Sequence, residues 1–248
     1  PQYYHKKIVA MYNKSLHGDV NEKYCFGKAS FVWKGKGEKQ VLKSYRKITA
    51  VPNTLNHLHR ILNLRLSQYF EKNEYFDKTI QKAGLSGSSY GIFEQVYKLR
   101  SIIKDANMNK KPAAVLYLDM SSAFDTLDRD ALFKILKDYY VSDNFVSYLK
   151  NFYDNLEYYI SSRNKHTELK KWKSGILQGC SLSPLLFTVC MNYVLTYLHK
   201  TSLNSDAYQF HETEDKILFL AFMDDVCITC NSMESLGEIY TELLTRFE

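Results

Sequence analysis

Apolar residues recur at three- and four-residue steps in several stretches of the chain, and this spacing predicts helices with one buried face. The predicted helices cover 53–72, about 90–106, a segment that starts near Asp128, 185–198 and 236–247. Asp128 itself has the side-chain chemistry of a helix N-cap. Residues 1–40 are mixed and polar, and no element is predicted for them.

Three shorter, almost wholly apolar runs predict buried strands. One run ends at Asp119, and the other two, 217–223 and 226–230, flank the neighbouring acids Asp224 and Asp225. The two acids therefore lie at the tip of a predicted hairpin. Because helices and strands do not alternate as regular βαβ units, the pattern predicts an α+β fold with an antiparallel sheet.

The paired acids have a simple interpretation and a chemical one. Aspartate is common in turns, because its side chain hydrogen-bonds its own backbone. The usual Asn-Gly or Asp-Gly hairpin signal is missing, however, and two carboxylates repel each other strongly near an apolar core. A strand end at Asp119 and a hairpin tip can meet at one sheet edge. Two or three carboxylates around one point, with substrate phosphates, suit Mg²⁺.

Composition narrows the class of protein. The chain has 248 residues, is 45% hydrophobic and 24% charged, and has a net charge of +6, which suits a polyanionic partner without requiring one. Its five cysteines, an odd number, favour a reducing compartment. Cys227 and Cys230 form a CxxC, but no second ligand pair follows, and a strand would direct them to opposite faces, which argues against zinc.

The ends of the chain and its apolar runs carry two further expectations. No apolar run reaches the roughly 18 residues of a membrane span. The first residue is not methionine, and the last helical stretch has no stop signal. We therefore expect a piece of a larger protein.

Three segments resemble, in order and spacing, motifs A, B and C of reverse transcriptases. They are YLDMSSAFDTLD at 117–128, GILQGCSLSPLLF at 175–187 and LAFMDDV at 220–226. Upstream, 31–62 and 83–99 resemble the fingers motifs of non-LTR, LINE-type retrotransposon enzymes and the segment that leads into motif A. Motif C departs slightly, with Phe222-Met223 where the family usually has an aromatic residue and alanine. No arginine is present around Ser86–Ser89, where the family often has one.

The resemblance implies a role for each matching residue. Asp119 and Asp224 would hold two metal ions, with Asp225 completing the cluster. Phe124 would lie beneath the incoming sugar and exclude the 2′-hydroxyl. The other nucleotide-binding residues implied by the match are Gln178 and Gly179 against the nucleotide and template, Arg46 on the triphosphate, and Lys34 or Lys36 as an assisting charge.

The resemblance also implies a fold and an activity. The fold would be the fingers (1–80 and 127–175) and palm (81–126 and 176–248) of a right-hand polymerase, with the thumb outside this fragment. The activity would be RNA-directed DNA synthesis from a DNA primer, an RNA template and dNTPs, with two Mg²⁺ ions or Mn²⁺ in their place. Location would be intracellular and nuclear, without a membrane. Basic residues such as Lys170, Lys171 and Lys173, beside Trp172, would face nucleic acid, unless they form only a solvated surface.

Three alternatives remain at this point. An RNA-dependent RNA polymerase shares the palm, but it typically has Asp at the position of Phe124 and Gly before the two acids of motif C. An inactive, domesticated palm that binds nucleic acid would be free to lose its acids, and all three are present. A group II intron or bacterial reverse transcriptase has the same chemistry, and the fingers segment favours the LINE type.

Overall fold

The computed structural model describes residues 2–17, 25–83, 90–162, 165–201 and 206–247. Its helices, in chain order, are α1 (Gln2–Leu16), α2 (Asn53–Lys72), α3 (Gly91–Asn109), α4 (Ala123–Thr126), α5 (Arg129–Asp138), α6 (Asp143–Asp154), α7 (Ser183–Lys200) and α8 (Met233–Phe247). Its strands are β1 (Phe26–Trp33), β2 (Tyr45–Ala50), β3 (Ala114–Leu118), β4 (Glu157–Ser162), β5 (Lys165–His166), β6 (Lys170–Lys171), β7 (Tyr208–Gln209), β8 (Lys216–Ile217), β9 (Phe219–Phe222) and β10 (Asp225–Cys230).

The chain folds as two compact units. Unit 1 contains Pro1–Leu66 and Phe124–Ser183, and unit 2 contains Ser67–Ala123 and Pro184–Glu248. The predicted boundaries between fingers and palm were 80, 126 and 175, so the units follow a similar division with shifted limits. The assignment of fingers and palm to them stays a prediction.

Unit 1 has a sheet in the order β2-β1-β4-β5, with β6 also paired to β4. β1 is antiparallel to β2 and parallel to β4. Leucines of α2 and α5 and aromatic residues of α6 fill its core, because each helix repeats apolar residues on one face. The fully or almost fully buried members include Leu58, Leu62, Leu132, Leu136, Tyr148 and Phe152.

Unit 2 is organised around an antiparallel sheet in the order β3-β10-β9. α8 contacts β3 and β10, while α3 contacts β9. Leu220 and Cys227 of the sheet pack with Ile102 and Ala106 of α3 in one apolar cluster. Helices therefore pack against the sheet, and the three acids lie at the ends of its strands.

Most predicted elements are present. α2, α3, α5, α7 and α8 match the helical periods, and Asp128 caps α5 by accepting from the amides of Asp130 and Ala131. α1 and β1 lie within residues 1–40, for which the sequence pattern had predicted no element. α6 was also missed. The Ser86–Ser89 segment lies outside the described residues.

Candidate active site

The hairpin between β9 and β10 turns through Met223 and Asp224. Met223 has a φ of 57°, the left-handed conformation that a tight hairpin turn needs and that side chains other than glycine seldom adopt. Gln81, which is fully buried, accepts from the Met223 amide at 3.2 Å and donates to its carbonyl at 3.3 Å. These two bonds fix the unusual turn and thereby the backbone of Asp224. Sequence reasoning missed Gln81.

Asp119 and Asp225 face each other across the sheet. Val226 and Leu118 are the last pair of the antiparallel β10–β3 ladder, and continuing this register brings Asp119, just beyond β3, opposite Asp225. Residues opposite each other in such a ladder share a face and lie close together. Burial, the charge of Asp224 and the charge of Asp119, in that order, raise the pKa of Asp225 above its usual value. The predicted meeting of a strand end and a hairpin tip is therefore present.

A cleft of about 300 Å³ opens beside these acids within unit 2. Asp119 and Asp225 line it together with apolar side chains such as Tyr117, Val96 and Phe222. Asp119 and Asp225 are exposed to solvent at this end of the cleft, where their like charges repel each other. A cation that entered this cleft would meet hard oxygen donors at one end.

Carboxylate oxygens are suitable ligands for a divalent cation, but these side chains do not by themselves surround a metal position. Within the described ranges, no group of three or more His, Cys, Asp or Glu side chains is arranged to hold a metal ion. Mg²⁺ needs only one or two carboxylates when phosphates and water supply the other ligands. Asp119 and Asp225 provide two carboxylates that line the same cleft. Metal ligation by the three acids stays a prediction.

Phe124 belongs to α4 in unit 1, where its backbone is held from two sides. Its carbonyl accepts from the Ile176 amide at 2.7 Å. Gly175 has a φ of +71°, and a Cβ added there would lie 2.3 Å from the same carbonyl oxygen. Next along the chain, Asp125 pairs with Lys47 at 3.0 Å. The position of Phe124 thus depends on Gly175 and on neighbours that the sequence pattern did not identify.

Gln178 and Gly179 lie on a segment that is pressed against β2. The Gln178 carbonyl accepts from the Thr49 amide at 2.8 Å. Gly179 has a φ of +121°, and a Cβ there would lie 2.8 Å from the Thr49 carbonyl oxygen. Glycine is therefore required by both conformation and space. α7 begins at Ser183, two residues before the start predicted at 185.

The predicted basic contacts lie in the exposed parts of unit 1. Arg46 is an exposed residue of β2. Lys34 and Lys36 are both exposed, and the ammonium group of Lys34 donates to the Lys43 carbonyl at 2.8 Å. The ammonium group of Lys47, which was not predicted, lies 4.1 Å from the centre of the Trp172 ring.

The three lysines at and next to β6 have a different environment from their aromatic neighbour, Trp172. Lys170, Lys171 and Lys173 are exposed, as predicted for a surface that meets nucleic acid or water. Trp172 is only 4% exposed. Its ring is therefore not on the exposed surface that carries these lysines; Trp172 follows β6 and donates from Nε1 to the Gly175 carbonyl at 3.3 Å.

Residues 34–248 match the family model described as reverse transcriptase (RNA-dependent DNA polymerase). The chain belongs to the reverse transcriptase family. Among curated relatives of this reverse transcriptase domain, a transposon TX1 uncharacterized 149 kDa protein of Xenopus laevis is 24% identical over 81% of the chain and 15% of the relative. A Pol polyprotein from a type-1 retrotransposable element R2 of Nasonia vitripennis is 26% identical over 92% of the chain and 21% of the relative.

Solved structures identify the fold. A Candida tropicalis apo telomerase truncated from its C-terminal domain matches with a TM-score of 0.58 and 14% identity, over 90% of this chain and 47% of that one. A Candida albicans telomerase in complex with a TWJ fragment of telomeric RNA matches with a TM-score of 0.58 and 15% identity, over 97% and 44%. The predicted α+β right-hand polymerase fold and the predicted non-LTR, LINE-type family are confirmed.

The reverse transcriptase domain spans about a fifth or less of the first curated relatives. Reverse transcriptases generally use divalent metal ions and bind nucleic acid templates. In the described part of this chain, no helix combines the length and the apolarity that crossing a membrane requires.

Proposed function

We propose that this domain catalyses RNA-directed DNA synthesis, adding dNTPs to the 3′-hydroxyl of a DNA primer. The observation that carries the proposal is that Asp119 and Asp225 lie at the same end of the β3–β10 ladder and line one cleft, with Asp224 in the adjoining turn. In a chain of the reverse transcriptase family, this is the set of acids that motifs A and C supply. Burial and mutual repulsion raise the pKa of Asp225, and a bound cation would relieve that repulsion.

Asp119, Asp224 and Asp225 are proposed to hold two Mg²⁺ ions, for which Mn²⁺ can substitute. When bound, the two ions would activate the primer hydroxyl and stabilise the leaving pyrophosphate. The contribution of the chain is to fix the donors: Gln81 fixes the turn that carries Asp224, and the strand ladder fixes Asp119 opposite Asp225. Such preorganisation is a large part of the catalysis of phosphoryl transfer.

Unit 1 is proposed to bind the nucleotide. Arg46 offers its planar guanidinium group to the triphosphate, and Lys36 or Lys34 assists as a point charge. Of the two lysines, Lys36 is favoured because Lys34 already donates to a loop carbonyl. Gln178 and Gly179 contact the nucleotide and template, and Phe124 packs against the sugar at C2′.

The proposed partners are an RNA template and a DNA primer. The net charge of +6 and the exposed Lys170, Lys171 and Lys173 support contact with phosphates. Affinity for a primer–template should then fall with salt, with a logarithmic slope of roughly −0.7 to −0.9 per phosphate contact. A solvated surface that touches no phosphate would leave the affinity nearly independent of salt.

The proposed location is the nucleus, where an element that copies RNA into chromosomal DNA would act.

An RNA-dependent RNA polymerase is the second candidate, since it shares the palm and its acids. Phe124 disfavours it, because a ring offers no hydrogen bond to a ribose 2′-hydroxyl. The matches to retrotransposon proteins favour DNA synthesis as well.

Primer extension on an RNA template, with dNTPs or rNTPs and Mg²⁺, tests the proposal. We expect extension with dNTPs, loss of extension in Asp224→Asn, and retention in Asp215→Asn, which changes an exposed acid of unit 2 outside the site. Preferred extension with rNTPs would favour the RNA polymerase, and binding without extension in any metal would favour an inactive scaffold.

A further inference from the structure

One face of α2 hydrogen-bonds to the 178–181 segment, which carries Gln178 and Gly179. Asn56, His59 and Asn63 follow one another at steps of three and four residues, so they lie on the same side of the helix. Oδ1 of Asn56 accepts from the amide of Ser181 at 3.0 Å and from its hydroxyl at 2.8 Å. Nδ2 of Asn63 donates to the Ser181 carbonyl at 2.8 Å. All the polar groups of Ser181 are therefore bound by this helix.

His59 holds the neighbouring Cys180. Its Nδ1 lies 2.9 Å from the Cys180 sulfur, and its Nε2 lies 2.8 Å from the Tyr148 hydroxyl of α6. The imidazole is 1% exposed, and the Phe152 ring meets it edge-on at 4.8 Å. A neutral imidazole has one donor and one acceptor, so both nitrogens are in use and the ring cannot turn. Burial keeps it neutral by lowering the pKa of His59 to about 3.

β2 holds the same segment from another direction. The Thr49 amide donates to the Gln178 carbonyl, and the Thr49 carbonyl fills the space where a Cβ of Gly179 would lie. Consecutive residues from Gln178 to Ser181 are thus fixed by separate partners. Within the described residues, the Gln178 side-chain amide makes no hydrogen bond of its own. Its backbone is immobilised while its side chain stays available.

Packing alone does not explain polar residues at these positions. Apolar side chains would bury the same helix face without the cost of desolvating an imidazole and two amides. A polar network that binds every polar group of Ser181 instead selects one geometry. We propose that Asn56, His59 and Asn63 are positioning residues that hold Gln178 and Gly179 in the geometry that receives the incoming nucleotide. This inference rests on the proposed function of Gln178.

Kinetics of the full chain on a primer–template test the proposal. Asn56→Ala should raise KM for the dNTP on the order of tenfold, the effect of about one lost hydrogen bond, with a smaller change in kcat. Asn56→Asp keeps an Oδ acceptor and should recover most of this loss. Leu64→Ala, an exposed change on the same helix, is the matched control and should leave KM unaltered.

A double variant separates positioning from general stability. If Asn56 acts through Gln178, the effects of Asn56→Ala and Gln178→Ala on KM should not add, because the second change removes the group that the first one misplaces. Additive effects would overturn the proposal. If Asn56→Ala does not fold, Ser181→Ala removes one of the same hydrogen bonds more mildly, and its effect on KM must likewise not add to that of Gln178→Ala.

Alkylation of Cys180 gives a measurement that is independent of activity. Cys180 and Cys190 are both buried, so Cys190, in unit 2, serves as the internal reference. Asn56→Ala should accelerate alkylation of Cys180 relative to Cys190 in the native protein, and an unchanged ratio would contradict the proposal. If Gln178→Ala alone leaves KM unaltered, the proposed role of Gln178 fails, and the alkylation ratio alone decides whether α2 positions the segment.

Discussion

The sheet edge of unit 2 that carries the three acids and the 178–181 segment of unit 1 differ in how their polar groups are paired. At the edge, Asp119 and Asp225 face each other with like charge, and their neighbour Asp224 adds to the repulsion. In the segment, each polar group of Ser181 has a partner from α2. A cation bound at the edge would relieve this repulsion, which suits the role proposed for the acids, whereas the role proposed for the 178–181 segment requires a single geometry.

The largest effect should come from removing the charge at the edge. Asp224→Ala should lower the rate of dNTP incorporation by at least about 10²–10³, the scale for one preorganised electrostatic group. Single-turnover primer extension measures it, with Asp215→Ala as the control. The comparison fails if Asp224→Ala lowers the rate of incorporation no more than Asn56→Ala, a variant of the helix that binds the 178–181 segment.

The buried histidine of unit 1 should make stability depend on pH. The pKa of His59 lies below its unfolded value, so its contribution is complete above about pH 6.5 and falls as the pH drops toward 3. The loss should reach about 2 kcal/mol at pH 5, at about 1.4 kcal/mol per pH unit. Denaturant unfolding at several pH values measures it, and His59→Gln should flatten the slope. His166→Gln, an exposed histidine, should keep it; equal slopes in the two variants would contradict the assignment.

Sugar discrimination should depend on a side chain whose backbone is fixed. Phe124→Val should open space at C2′ and lower the ratio of kcat/KM for dNTP over rNTP by at least about tenfold, equivalent to 1.4 kcal/mol. If Phe124 were only a core residue, the truncation would instead cost stability, roughly 1–3 kcal/mol, with an unaltered ratio. Measuring both quantities on one primer–template distinguishes the two roles.

The smallest effect should be a gain in stability at the acid edge. Asp225→Asn removes one of two like charges that face each other, so the free energy of unfolding without metal should rise by roughly 0.2–1 kcal/mol. Mg²⁺ should then stabilise the unaltered protein more than this variant. Thermal unfolding with and without Mg²⁺ tests both statements, and a loss of stability in metal-free Asp225→Asn would mean that the edge is not under repulsion.

Local patterns predicted much of the fold and the acids of the site. The strand that ends at Asp119 and the hairpin at Asp224 were visible because each is a short apolar run with an acid at its end. α6 was missed although Val146, Leu149 and Phe152 carry a helical period. α1 has a weaker pattern, since Tyr12 is its one buried residue among those whose side chains are described.

The supporting residues could not be found in this way. Gln81 contacts a turn 142 positions later in the chain, and His59 contacts Cys180 across 121 positions. Such bonds depend on how distant segments meet, and a buried polar residue in a helix looks the same in sequence as a solvated one. Trp172 was misplaced for the converse reason, because lysines on both sides of it suggested a surface.

The contact between Gly175 and the backbone of Phe124 matters for anyone who recombines this domain with a homologue. The glycine admits no side chain because two carbonyl oxygens of the other segment occupy the space. A chimera with a crossover between 128 and 172 joins segments from different parents and risks a mismatch that neither parent has. Libraries for altered nucleotide use should therefore transfer 117–128 and 172–179 as one block, and diversify the side chain at 124 within it.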